Sequence, residues 1–193
     1  MLISGKPHKK GACTGTLRTP AQERELLRDL ARKAEQALAG VQMASMDELT
    51  LLPNRHGFIA LARSGLDACG QLDRPATLLF FNLDDFKRIN YLFGRAEGDD
   101  ALKTFADVLR IAFRESDVTG RLEGATFVVL LTGSGSVDIT AIKARLEEIL
   151  DERNATVHRG YDIRFSIGQI EYDPAVHGTV EELLAQIERV MGR

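Results

Sequence analysis

The chain has 193 residues, 44% apolar and 27% charged, enough for one globular domain with a real core and too few for a second full domain. A formal charge of −3, with no dense basic cluster beyond the first 18 residues, speaks against a nucleic-acid partner, and no stretch approaches the roughly 18 apolar residues of a bilayer crossing. Two distant cysteines, Cys13 and Cys69, and four scattered histidines, His8, His56, His158 and His177, show no zinc-type spacing. The expectation is a reduced, cytoplasmic protein with neither nucleic acid nor membrane as partner.

Residues 1–18 carry Lys6, Lys9, Lys10 and Arg18 among glycines and no acid, a composition that buries little and predicts a mobile basic arm. Thr19 before Pro20, with Gln22 at the third helical position, is a capping box. Leu26, Leu27, Leu30, Ala34, Leu38 and Val41 follow at helical spacing, so an amphipathic helix is expected over 19–44. It either dimerises as a short coiled coil or packs on its own domain, since the repeat lasts barely three heptads. After the Pro53-Asn54 break a second helix runs to Gly70.

ATLLFFNL, residues 76–83, is a continuous apolar run of strand length and reads as a central strand buried on both faces. Helical periodicity then continues to about residue 115, interrupted at 94–98, with Asp99 placed to cap the restart. Asp84 and Asp85 point to opposite faces if both extend the strand, and one of them is expected to start the next helix. Two β segments, 118–122 and 127–131, are joined by RLEGATF as a tight hairpin turning on Gly124. A Gly/Ser loop at 133–136, a helix near 139–152, a strand pair or one long strand across 157–172 and a last helix near 179–191, opened by the capping box Thr179/Glu182, complete the chain. The order predicts an α+β domain with a mostly antiparallel sheet.

DELTLLPNRHGF, FNLDDFKRINYLFGRAEGDD, RESDVTGRLEGATFVVLL and RFSIG, in this order and spacing, resemble the signature blocks of the GGDEF domain of diguanylate cyclases. The likeness covers about residues 45–191 and sets a GGDEF-like domain at 45–193. It implies a central, mostly antiparallel five-stranded sheet surrounded by helices, similar to the palm of nucleotidyl cyclases and polymerases. It also implies a chemistry, the joining of two GTP molecules into cyclic di-GMP, each GTP held with Mg²⁺ at the hairpin tip.

At the family's Gly-Gly-Asp/Glu-Glu-Phe positions this chain has Glu123, Gly124, Ala125, Thr126 and Phe127, and at the metal-binding acid of the preceding strand it has Asn82. Glu123 adds negative charge where polyphosphate would lie, and neither Ala125, Thr126 nor a neutral amide supplies a carboxylate to a hard cation. The chain also ends at Arg193, short of a phosphate-contacting lysine that the family carries. The resemblance therefore implies a degenerate site without catalytic or metal-binding residues, and Mg²⁺ only if GTP binding persists.

Other positions match. Asn90 and Asp99 stand where the family reads guanine, and Lys87 stands at a basic position near the phosphates; the alternative is that Asp99 is only a helix cap. Arg114 and Asp117 match the family's inhibitory cyclic di-GMP site, with an exposed i,i+3 ion pair as the alternative. The implied function is a regulatory module of cyclic di-GMP signalling that binds cyclic di-GMP or GTP and relays this to another signalling protein or an adjoining domain, with dimerisation through the N-terminal helix left open. A ligand-free interaction scaffold is the rival, and residual cyclase activity a weaker one.

Overall fold

The computed structural model describes residues 19–134 and 137–192, so the basic arm at 1–18 and half of the 133–136 loop lie outside the described residues. The chain divides into two units, residues 1–41 and 42–193. In the first lies most of α1 (Pro20–Ala44). Its start is the reciprocal box expected: Thr19 Oγ1 accepts from the Gln22 amide at 3.4 Å, and Gln22 Oε1 accepts from the Thr19 amide at 2.9 Å. Leu26, Leu27 and Leu30 are all exposed on it. No described helix is long and apolar enough to cross a membrane.

The second unit contains α2 (Arg55–Gln71), β1 (Ala76–Leu83), α3 (Phe86–Phe93), α4 (Arg95–Ala112), β2 (Val118–Glu123), β3 (Thr126–Thr132), α5 (Ile139–Thr156), β4 (Phe165–Glu171) and α6 (Val180–Val190). The strands form one antiparallel sheet in the order β2-β3-β1-β4. Side chains alternate across a strand, so β1 feeds two cores. Leu79, Phe81 and Leu83 join Phe127, Val129 and Phe165 against Leu102, Phe105 and Leu109 of α4 and Leu146 and Leu150 of α5. Leu78 and Phe80 join Val128 and Leu130 against Phe58 and Ala62 of α2 and Leu183, Leu184 and Ile187 of α6. Helices on both faces are why residues 78–81 of β1 run apolar without alternating.

Three expectations are corrected. The described sheet has four strands, not five, and only Phe165–Glu171 of the 157–172 stretch is strand. The Asn154 side chain explains part of this: its Nδ2 donates to the Ile163 carbonyl and its Oδ1 accepts from the Ile163 amide, both at 3.2 Å. A side chain thus satisfies the backbone groups that a ladder would otherwise take.

The interruption at 94–98 shrinks to Gly94 alone, whose φ of 92° lets it end α3 and begin α4 in one step. Asp99 consequently lies inside α4 and caps nothing. Asp85 does occupy the position before α3, with φ 54°, but its side chain makes no capping bond. In the second capping box Thr179 Oγ1 accepts from the Glu182 amide as expected, while Glu182 Oε2 accepts from Gly178 rather than Thr179.

Candidate functional site

The hairpin tip turns on Gly124 at φ 51°, with a register shift between Arg121 and Glu123. Behind the tip, pairing sets Asn82 of β1 opposite Thr126 of β3, and Thr126 Oγ1 donates to Asn82 Oδ1 at 2.9 Å. Thr126 is 1% exposed and Ala125 is buried, with the Ala125 carbonyl accepting from the Leu83 amide at 3.1 Å. Glu123 is exposed and lies 3.9 Å from Arg55, which bonds Glu188 at 2.6 Å. Such exposed pairs are worth about 0–1 kcal/mol. Among the described residues no three His, Cys, Asp or Glu side chains are grouped to hold a metal ion.

The tip is held by a pair that sequence reading alone does not bring together. Arg121 Nη1 donates to both Asp47 carboxylate oxygens at 3.0 Å, while its Nε donates to the Gly124 carbonyl at 2.9 Å. The Thr50 amide and hydroxyl also donate to Asp47, the turn's Pro53 carbonyl accepts from the Arg121 amide, and Arg110 donates to the Thr50 carbonyl. Burial pushes the Asp47 carboxyl up, but the bonds from Thr50 and Arg121 outweigh it and leave the carboxyl below its ordinary 3.8. Asp47 and Arg121 each open a quoted sequence block. Their separation of 74 residues left no local sign of the pairing.

The α3–α4 pair carries Asn90, Asp99 and Lys87. Asn90 Oδ1 lies so close to the Gly98 backbone that a Cβ there would stand 1.8 Å from it. The segment before β4 straps the outside of this pair. Tyr161 Oη donates to the Glu97 carbonyl at 2.9 Å, and its ring packs tilted against Phe93 with centroids 4.9 Å apart. Burial and then the Glu97 carboxylate raise the Tyr161 hydroxyl above its ordinary value, which keeps it a donor. Arg159 Nη2 donates to Thr104 Oγ1 at 2.9 Å and to Asp100 Oδ2 at 3.3 Å. The strap therefore engages Glu97 and Asp100, whereas Asp99 is exposed and has no partner among the described residues. Lys87 is likewise exposed.

Arg114 and Asp117 do not form the i,i+3 ion pair considered above. Asp117 Oδ2 accepts from the Arg114 amide at 3.1 Å and its Oδ1 from the Thr132 amide at 3.2 Å, so the carboxylate stitches the turn before β2 to the end of β3. The Arg114 guanidinium is exposed and unpaired among the described residues. Asp84, at the end of β1, accepts from Ser166 Oγ at 2.7 Å.

The family model for the diguanylate cyclase GGDEF domain matches residues 44–193. The probable diguanylate cyclase DgcC of Escherichia coli is 31% identical over 132 residues, covering 68% of this chain and 36% of DgcC, so the chain spans about a third of that relative. The solved GGDEF domain of YfiN (TpbB) from Pseudomonas aeruginosa is 30% identical with a TM-score of 0.62, over 72% of this chain and 82% of that one. The coiled coil and GGDEF domain of DgcB from Caulobacter crescentus, solved with c-di-GMP, shares the fold at 22% identity and a TM-score of 0.70, over 90% and 95% of the two chains. A family match across residues 44–193, with solved GGDEF domains of the same fold, places this protein in the GGDEF domain family of cyclic di-GMP signalling.

Proposed function

We propose that this GGDEF domain binds a guanine nucleotide, cyclic di-GMP or GTP, as a regulatory module and does not make cyclic di-GMP. The observation that carries the reading is the Thr126–Asn82 hydrogen bond: at the positions where the family places acids, two neutral side chains satisfy each other. A hard dication needs several oxygen ligands, preferably charged, and an amide oxygen already accepting a hydroxyl proton beside a buried Ala125 does not suit one.

The base-reading face supports the binding half of the reading. Asp99 caps nothing and has no partner among the described residues, so its carboxylate is available to accept from the N1–H and exocyclic amine of guanine. Asn90 lies alongside, and Lys87 one turn earlier can meet a phosphate. At the second candidate site Arg114 offers a guanidinium unpaired among the described residues to a guanine edge, and each Asp117 oxygen retains an acceptor position beyond its backbone bond.

Calorimetric titration with GTP and with cyclic di-GMP tests this. Heat of binding for either is expected, and none for both at millimolar nucleotide rejects the reading. Arg114→Ala is expected to weaken cyclic di-GMP more than GTP. Gly98→Ala should leave stability within about 1 kcal/mol, because a helical Gly→Ala gain offsets the local crowding. It must displace the Asn90 amide, so GTP affinity is expected to fall about tenfold, the value of one lost hydrogen bond to a charged or buried partner.

One observation favours a second reading as an interaction scaffold. Leu26, Leu27 and Leu30 form an exposed apolar stripe on α1, suited to another helix, including that of a second copy. Light scattering that finds a monomer at every concentration would exclude the second copy.

A further inference from the structure

We propose that Tyr91 is the stacking wall of a purine site, supplying affinity that does not depend on a metal ion. The inference rests on the guanine-nucleotide reading above and adds a residue to it.

Tyr91 is 88% exposed, far more than any other large apolar or aromatic side chain on α3 or α4. An aromatic ring held in water on a short helix buries little in its own fold, and α3 buries Ile89 on its other side. Lys87, Asn90 and Tyr91 stand at i, i+3 and i+4, which places them on one face of α3. That face presents, in sequence, a cation, an amide and a ring. These match the three parts of a nucleotide: phosphate, base edge and base face.

The charge around the ring points to the same ligand. Lys87, Arg88 and Arg95 are exposed and make no ion pair or hydrogen bond among the described residues. The acids of the first turns of α4 are Glu97, Asp99 and Asp100, of which Glu97 and Asp100 are held by Tyr161 and Arg159. Asp84 and Asp85 precede α3, and Asp84 is bonded to Ser166. Among the described residues these three cations outnumber the unpartnered carboxylates, Asp85 and Asp99, which suits a ligand whose base donates hydrogen bonds and whose tail is anionic. A guanine nucleotide has both, and its base has a π-face that tyrosine can cover.

The experiment compares the wild type with Tyr91→Ala and Tyr91→Phe in calorimetric titrations with GTP, reading tyrosine fluorescence in parallel, since the chain has three tyrosines and no tryptophan. Tyr91→Ala is expected to weaken GTP about five- to a hundredfold, the range of one lost base–aromatic stack, and to remove most of the fluorescence quenching. Tyr91→Phe, which keeps the ring, should bind within about threefold of the wild type. Unchanged affinity in Tyr91→Ala overturns the stacking role while leaving the nucleotide reading intact. Equal losses in both variants overturn it in favour of the hydroxyl. A wild type that binds no GTP overturns the stacking role, and one that binds neither GTP nor cyclic di-GMP overturns the nucleotide reading as well. The side chain is exposed, so neither variant is expected to unfold.

Discussion

Purified chain incubated with GTP and Mg²⁺ is expected to release no cyclic di-GMP, and Asn82→Asp alone is expected not to start turnover. Phosphoryl transfer of this kind depends on positioning and on metal ions that neutralise developing charge, a contribution of several kcal/mol. At about 1.4 kcal/mol per tenfold, losing it slows the step about a thousandfold or more, below detection for an enzyme class of ordinary turnover. Asn82→Asp restores one carboxylate, but its neighbours remain Thr126, whose hydroxyl would donate to the new acid, and a buried Ala125. One acid held by a hydroxyl is not an octahedral site. Product chromatography decides the matter. Mg²⁺-dependent product from the wild type, lost in Asp84→Ala, would revive the residual cyclase reading.

Asp47→Ala is expected to cost about 2–4 kcal/mol and to loosen the hairpin tip. The pair it breaks is largely shielded, with side-chain exposures of 13% for Arg121 and 22% for Asp47. Removing one partner leaves a desolvated guanidinium, which is costlier than the net worth of the pair. Thr50 loses its acceptor at the same time. For a chain of this size the loss corresponds to a fall in melting temperature of about 5–15 °C.

The same carboxyl gives a pH signature. Its folded pKa lies below the unfolded 3.8, so its contribution is present above that value and is lost as pH falls through 3.8 toward the lower folded pKa. The stability difference between the wild type and Asp47→Asn should therefore narrow in that acidic window and stay constant near neutrality. A difference that widens on acidification contradicts the assigned direction.

Much of the frame was legible because it rests on short-range rules. The uninterrupted apolar run at 76–83 is a doubly covered strand, and Ala76–Leu83 is its observed extent. Thr19 with Gln22 and Thr179 with Glu182 mark helix starts through bonds only three or four residues long. Gly124 marks the hairpin because a positive φ is open to it at little cost. The 157–164 stretch differs from the expected strand because its strand-like residues have no ladder partner among the described residues, and the Asn154 amide that serves Ile163 instead lies on the preceding helix.

By itself the sequence determined the order of elements, the two faces of β1 and the chemical identity of the hairpin tip, because periodicity, caps and side-chain type are local properties. Only the tertiary structure decided that Asn82 and Thr126 meet in a hydrogen bond, that Asp47 clamps Arg121, and that Asp99 is left without a partner among the described residues while Glu97 and Asp100 are held. Each of those outcomes depends on which residues, 44 to 74 positions apart, end within 3 Å or so of one another. That is set by the closing of the sheet and the packing of the helices on it, which no local pattern encodes.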